Sequence, residues 1–320
     1  MNDSKYLIDI NDKKNWLKIN MDYNPDGSLN EEQRIIVWPE GIHQRFDFTD
    51  SIFYGKNGYH EHTFGWEIFF MVEGSMDFTT HGKVCTVHSG DILFVPPYTS
   101  HSMEFLEPTR WRATFHDMNM CEILNDWNRI QKYCDSKLDD PVLEANYLAN
   151  PQNVLRELPV AKRVDKSEVP EVRTIDKWKN RYDFEGIVMK QVADRSENNG
   201  ISEMWRLEMQ DKFTVNYEPV VPQTDFFYIT EGEVDFEVGG EKFTAYHDCL
   251  VKIPSYIPRK FRSKGTSVMY DIGGITHWLD VIEDWMSLKQ FSAEKYNNKE
   301  YVKEVLHRHS CYVSGFGIDI

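Results

Sequence analysis

Four residues in the first third of the chain have the types and spacing to hold a metal ion: His60, His62, Glu67 and His101. The first three lie in Gly58-Tyr59-His60-Glu61-His62-Thr63-Phe64-Gly65-Trp66-Glu67, with Gly74 downstream. The fourth ends Pro96-Pro97-Tyr98-Thr99-Ser100-His101, which follows Gly90. On a strand, positions i and i+2 share a face, so His60 and His62 converge. Glu67, beyond a glycine-containing irregularity, can rejoin that face, and the proline-rich turn returns His101 to the same mouth. An isolated H-x-H pair is ordinary surface polarity, but the added carboxylate and third imidazole favour a metal. Three imidazoles and one carboxylate suit a single divalent Mn, Fe, Zn, Ni or Co ion. Glu67 is a ligand first and at most a secondary proton acceptor.

The elements that must position these side chains come in two copies. Glu73-Gly74-Ser75-Met76-Asp77-Phe78 reappears as Glu231-Gly232-Glu233-Val234-Asp235-Phe236, and Pro96-Pro97-Tyr98 as Pro254-Ser255-Tyr256. Ile123-Leu124-Asn125-Asp126-Trp127 matches Val281-Ile282-Glu283-Asp284-Trp285, and all three pairs stand at one offset of 158. A shared offset without gaps identifies a duplicated unit. In the first copy Glu67–Val72, Ser75–His81, Asp91–Val95 and Arg110–Phe115 read as short strands separated by glycine turns. That spacing predicts an all-β fold with minor helices: two jelly-roll barrels in tandem, each followed by a packing helix. The helices are expected over Asp117–Tyr133 and around Trp278, Ile282, Trp285 and Leu288, whose apolar stripes face the core. Residues 1–134 are expected to form the metal-bearing barrel with an N-terminal arm, the first forty residues, that crosses to the other barrel or to a partner subunit. The stretch 135–180, polar and rich in proline, reads as a linker with one short helix at most. Residues 181–320 form the second barrel.

The two ligand stretches resemble the signature motifs of the cupin superfamily, G-x5-H-x-H-x3,4-E-x6-G and G-x5-P-x-G-x2-H. Gly58 stands nearer the first histidine than that pattern asks, although Gly55 is also close, and Tyr98 replaces the second motif's usual glycine. The resemblance implies a bicupin in which His60, His62, Glu67 and His101 bind one divalent metal inside the first barrel. At the repeat offset these four positions become Glu218, Val220, Asp225 and Arg259. The second barrel is therefore expected to be metal-free, with Arg259 either in a charge-assisted pair amid Glu218 and Asp225 or solvated with them at the barrel mouth.

Around the ligands, Phe64, Trp66, Tyr98, Met103, Arg45, Arg112 and His116 are candidates for a substrate pocket. Met103 has the best case, lying two residues from His101. His307 and His309 read as a solvated helix end, and His81, His88 and His247 as turn residues.

A net charge of −16 disfavours nucleic acid and anionic membrane as partners, because either polyanion is repelled. No secretory signal or membrane-spanning run is evident, and Cys85, Cys121, Cys134, Cys249 and Cys311 form no C-x-x-C pair. These features suggest a cytoplasmic protein with reduced thiols, and the resemblance implies a homodimer. Neither nucleotide-binding glycine motifs nor a serine-hydrolase elbow is present. Three functions remain: a non-oxidative C–C hydrolase, isomerase or lyase; a ring-cleaving or quercetinase-like dioxygenase; and a non-enzymatic ligand sensor resembling AraC-type regulators. The first is preferred, acting on a small oxygenated molecule such as a cyclic diketone or phenol-derived ring. A cyclohydrolase acting on dihydrophloroglucinol is one concrete instance. The sensor ranks last, because a second barrel and an acidic chain stand where a DNA-binding segment is needed.

Overall fold

The computed structural model describes residues 4–24, 26–37, 46–63, 65–116, 154–173, 178, 180–197, 203–219, 224–272, 278–307 and 311–318. They fall into two compact units, one of Lys13–Lys177, the other of Met1–Asp12 with Trp178–Ile320. The N-terminal strand β1 (Leu7–Asp9) accordingly belongs to the second unit.

In the first unit the chain runs through β2 (Lys18–Tyr23), β3 (Leu29–Val37), β4 (Phe46–Phe53), β5 (His60–Glu61) and β6 (Trp66–Glu73). It continues through β7 (Ser75–Thr80), β8 (Lys83–His88), β9 (Ile92–Val95), β10 (His101–Phe105) and β11 (Thr109–His116). Three two-residue strands follow, β12 (Val154–Leu155), β13 (Lys162–Arg163) and β14 (Val172–Arg173). Two sheets result, in the orders β14-β9-β6-β11-β4-β3-β2 and β12-β5-β10-β7-β8-β13. Between them lies a core containing Phe53, Phe69, Met71, Phe78, Leu93, Met103, Trp111 and Phe115. Side chains alternate along each strand, so Phe69 and Met71 inside place Glu67 inside, and Trp66, Ile68 and Phe70 on the outer face.

The second unit repeats the design. Its strands are β15 (Arg181–Phe184), β16 (Ile187–Ala193), β17 (Met204–Met209), β18 (Phe213–Pro219) and β19 (Asp225–Val238). Then come β20 (Glu241–Tyr246), β21 (Cys249–Ile253), β22 (Arg259–Asp271) and β23 (Cys311–Ile318). Helix α1 (Trp278–Phe291) buries Trp278, Val281 and Ile282, with Trp285 and Leu288 packed partly against the same core. Two shorter helices, α2 (Ala293–Tyr296) and α3 (Lys299–His307), follow. The helix expected over Asp117–Tyr133 lies outside the described residues, and His307 is exposed at the end of α3. Among the described residues, no helix is long and apolar enough to cross a membrane.

The duplication is written into the backbone. Gly74 and Gly232 (φ +81° and +71°), His81 and Gly239, Gly82 and Gly240, Gly90 and Asp248, and Tyr98 and Tyr256 all take positive φ. Each pair is 158 residues apart. A Cβ on Gly74 would meet the Pro108 carbonyl at 2.8 Å, and one on Gly232 the equivalent Thr266 carbonyl at 2.3 Å. The same chain crossing demands glycine in both copies.

One expectation needs correction. The stretch 135–180 is not simply a linker: β12, β13 and β14 pair with β5, β8 and β9, and Val169 and Val172 enter the first core. Lys166 holds Asp91 at 2.7 Å, and Arg163 bonds Asp77, so charge pairs fasten a segment that has no apolar periodicity. The N-terminal arm also divides. Leu7–Asp9 extends the second unit's sheet along β21, whereas β2 and β3 belong to the first.

Candidate metal centre

The four motif residues come from both sheets of the first barrel. His60 and His101 are direct cross-strand partners on β5 and β10, and His62 follows His60 by two positions. The Tyr98 amide donates to the His62 carbonyl at 2.6 Å, closing the proline turn over this segment. Glu67 reaches them from β6 in the opposite sheet. One ligand atom from each of His60, His62 and His101 lies within 4.8 Å of the others, a grouping able to hold a metal ion. Glu67 Oε1 is 3.4 Å from His62 Nε2, and Oε2 is 3.1 Å from His101 Nε2. All but His60 are buried, and His60 keeps an edge accessible.

Two hydrogen bonds settle the imidazole tautomers. His60 Nδ1 lies 2.7 Å from the Gly58 carbonyl, and His101 Nδ1 lies 2.9 Å from the Thr99 carbonyl. A carbonyl only accepts, so both Nδ1 atoms carry the proton and both Nε2 atoms offer a lone pair. Among the described residues, His101 Nε2 and Glu67 Oε2 are buried without an aligned hydrogen-bond partner. An orphaned donor atom on an imidazole of fixed tautomer, facing a carboxylate, fits a divalent ion of the nitrogen/oxygen-loving class.

The electrostatics agree with that use. Burial, reinforced by the neighbouring His101 and His62, pushes His60 down to about 3, so it stays neutral. Burial alone would raise the Glu67 carboxyl, but His62 and His101 outweigh it and hold it well below the usual carboxylate range. A neutral imidazole and an ionised carboxylate are the ligating forms.

Of the pocket candidates, Met103 lies in the core two residues beyond His101, on the same inward face. Trp66, Arg112 and His116 do not line the site, because they project from the opposite side of the sheet. Phe115 is the cross-strand partner of Glu67, so His116, Trp66 and Arg112 carry the other parity. There His116 stacks on Trp66 with centroids 3.6 Å apart, and Arg112 approaches Asp50 at 3.5 Å. Tyr98 takes the left-handed conformation of the glycine it replaces (φ +61°), and its side chain is 65% exposed. Arg45 and Phe64 lie outside the described residues.

The sequence reading missed Glu61. It accepts a 2.6 Å hydrogen bond from Ser100 Oγ and pairs with Arg156, linking the strand of His60 to the residue before His101. A carboxylate between two histidines was the available signal, but its partner 95 residues away was not.

In the second barrel the equivalents of Glu67 and His101 are joined directly. Arg259 Nη1 lies 2.6 Å from Asp225 Oδ2, both side chains buried. Tyr217 donates to the same oxygen at 2.7 Å. Burial beside that carboxylate pushes the Tyr217 hydroxyl well up, so it remains a donor. Glu218, on β18, is half-buried, and Val220 lies outside the described residues.

Residues 55–115 match the family model described as Cupin domain. No curated protein matches the chain in sequence. Among solved structures, a point mutant of oxalate decarboxylase from Bacillus subtilis is similar at 12% identity and TM-score 0.51, covering 92% of this chain and 86% of that one. The oxalate decarboxylase–formate complex from Lactobacillus farciminis is similar at 14% identity and TM-score 0.51, covering 91% and 94%. At such identity the likeness concerns the fold, which is shared along nearly the whole chain.

Proposed function

We propose that this two-barrel cupin is a metal-dependent enzyme. It would bind one divalent ion through His60, His62, Glu67 and His101, and act on a small oxygenated organic substrate. The observation that carries the reading is the meeting of three imidazole donors within 4.8 Å, two of them fixed as Nε2 donors, beside a buried carboxylate. A divalent ion held there supplies Lewis acidity toward a substrate carbonyl or enolate oxygen. The chain's own contribution is to hold Glu67 ionised, keep His60 neutral, and exclude water with the apolar floor of Phe78, Met103 and Phe115.

Non-oxidative C–C cleavage is the preferred chemistry, as in a cyclohydrolase, isomerase or lyase opening a cyclic 1,3-diketone such as dihydrophloroglucinol. The solved structures of similar fold are named as decarboxylases, enzymes that cleave a carbon–carbon bond of a small oxygenated molecule, and this adds to the reading. Elemental analysis of wild type and His62→Ala, joined to a strictly anaerobic screen of cyclic diketones, tests it. About one metal per chain in wild type, lost in the variant, with turnover in the absence of oxygen, is expected. Equal metal content in both proteins would sink the site. Turnover that required dioxygen would turn the assignment to a dioxygenase.

A further inference from the structure

The backbone ladder around the paired histidines is short. β5 is two residues long, and among the described residues its register with β10 is the single pair His60 and His101. On its other side β12 meets only Glu61 and His60. The amides of Arg156 and Tyr98 bond the carbonyls of Tyr59 and His62 at its two ends. In the second barrel β18 ends at Pro219, the equivalent of Glu61 at the repeat offset. It pairs along four residues with β22 and along seven with β23. Backbone hydrogen bonds fix that strand in the copy without ligands. In the copy with them, side chains must do part of the work.

Glu61 is placed to do it. Alternation along β5 puts His60 on one face and Glu61 on the other, so this carboxylate does not join the ligand cluster. It accepts the 2.6 Å hydrogen bond from Ser100 Oγ and is bonded by the Arg156 guanidinium. Ser100 immediately precedes His101, and Arg156 immediately follows β12. One carboxylate thus ties the backbone between two imidazoles to the backbone beside the third, and to a segment 95 residues farther along. Glu61 is 8% exposed, so water competes little for these charge-assisted bonds. At the repeat offset Glu61 and Ser100 become Pro219 and Pro258, whose side chains neither donate nor accept. The clamp belongs to the barrel that carries the histidines.

We propose that Glu61 is a positioning residue for the candidate metal centre, setting the separation of His60 and His62 from His101 through its bonds to Ser100 and Arg156. Imidazole nitrogens must reach within about 2.0–2.1 Å of an ion such as Zn²⁺. A ligand strand free to shift by a few tenths of an ångström therefore binds more weakly with every ligand still present. Glu61 removes that freedom before the ion arrives, from the face that the ion does not touch. The inference deepens the proposed function and rests on it for the presence of the ion. Its test needs no turnover.

Calorimetric titration of the chelator-treated full chain with Co²⁺, the visible spectrum of the cobalt-loaded protein, and Tm without metal test the clamp. Glu61→Ala and Arg156→Ala should each weaken Co²⁺ about 10–100-fold and change the cobalt bands at saturation. Arg156→Lys, which keeps the charge on Glu61, should recover most of the lost affinity. Arg163→Ala is the control, because it cuts the pair with Asp77 in the same segment without touching Glu61. It should lower Tm and keep the wild-type affinity and spectrum. A Glu61 that merely supports the barrel predicts a lower Tm in Glu61→Ala with unaltered affinity and bands, and that result would overturn the proposal. So would an equal loss of affinity in Arg163→Ala, which traces the effect to loosening of the whole segment. Where Glu61→Ala does not fold, Arg156→Ala and Ser100→Ala make the same comparison. Failure of wild type to bind Co²⁺ overturns the metal centre and the proposed function together, whereas wild-type binding with unchanged variants overturns the clamp alone.

Discussion

Arg259 and Asp225 stand 2.6 Å apart in the second barrel, at the positions that His101 and Glu67 occupy in the first. The duplicated scaffold has kept one inward carboxylate in each copy and changed what neutralises it. A guanidinium and the Tyr217 hydroxyl do so in one barrel, whereas in the other the carboxylate faces Nε2 of His62 and of His101. Truncating Arg259 to Met leaves a buried carboxylate without its cation and should cost about 3–5 kcal/mol. The double variant Asp225→Leu/Arg259→Met should recover most of that loss, because two apolar side chains of similar volume need no neutralisation. Urea unfolding of the three proteins checks this. A single-variant loss below about 1 kcal/mol would assign the pair the weight of a surface ion pair.

The meeting of His60, His62, Glu67 and His101 was legible because strand geometry makes i and i+2 neighbours, and because the offset of 158 supplied a second copy to read against the first. The face of each flanking residue was not legible. Trp66-Glu67-Ile68-Phe69-Phe70-Met71 is apolar on both sides of one buried charge, so alternation does not declare which side faces inward. A shift of one residue exchanges the faces, which is why Trp66, Arg112 and His116 were assigned to the pocket. The three strands between residues 154 and 173 were hidden for a different reason. Each is two residues long and is held by partners 75 to 95 residues away in sequence, Asp91, Asp77 and Glu61.

His116 gives a pH dependence independent of the metal site. Burial pushes it down to about 3 from an ordinary 6.5, where it stacks on Trp66 and bonds Thr114 at 3.0 Å. Between those values the unfolded chain binds the extra proton. Its contribution to stability is complete above pH 6.5 and is lost as pH falls toward 3. The loss is at most about 1.4 kcal/mol per pH unit. His116→Phe keeps the stacking and removes the titration, so its unfolding free energy should fall less than that of wild type between pH 7 and pH 4.5. Parallel pH profiles for the two proteins would contradict the assignment.

Cys85 and Cys249 should be chemically silent in the folded protein. Burial pushes their thiols up to about 12 and about 11, and both side chains are buried. The thiolate is the reactive form, so neither should be alkylated by iodoacetamide at pH 8 without denaturant, and both should be in its presence. Peptide mapping by mass spectrometry reads each site separately. Rapid native labelling of Cys85 would mean that the first barrel opens far more often than its packing allows.

Glu67 offers the sharpest test of the candidate centre, because its two faces of the sheet can be separated by mutation. A divalent ion that binds only the folded chain stabilises it by mass action, about 2.7 kcal/mol at a hundredfold excess over Kd. Thermal unfolding of chelator-treated wild type should therefore move to higher temperature when Co²⁺ or Mn²⁺ is restored. Glu67→Gln keeps the size of the side chain and removes the charge that His62 and His101 surround. It should lose most of that shift, as should His101→Ala. Trp66→Phe and His116→Phe alter the neighbours of Glu67 in sequence and register, but on the outer face. They should retain the shift whatever their own stability. An equal response in all five proteins would place the metal elsewhere, whereas loss in the outer-face variants as well would return Trp66 and His116 to the site.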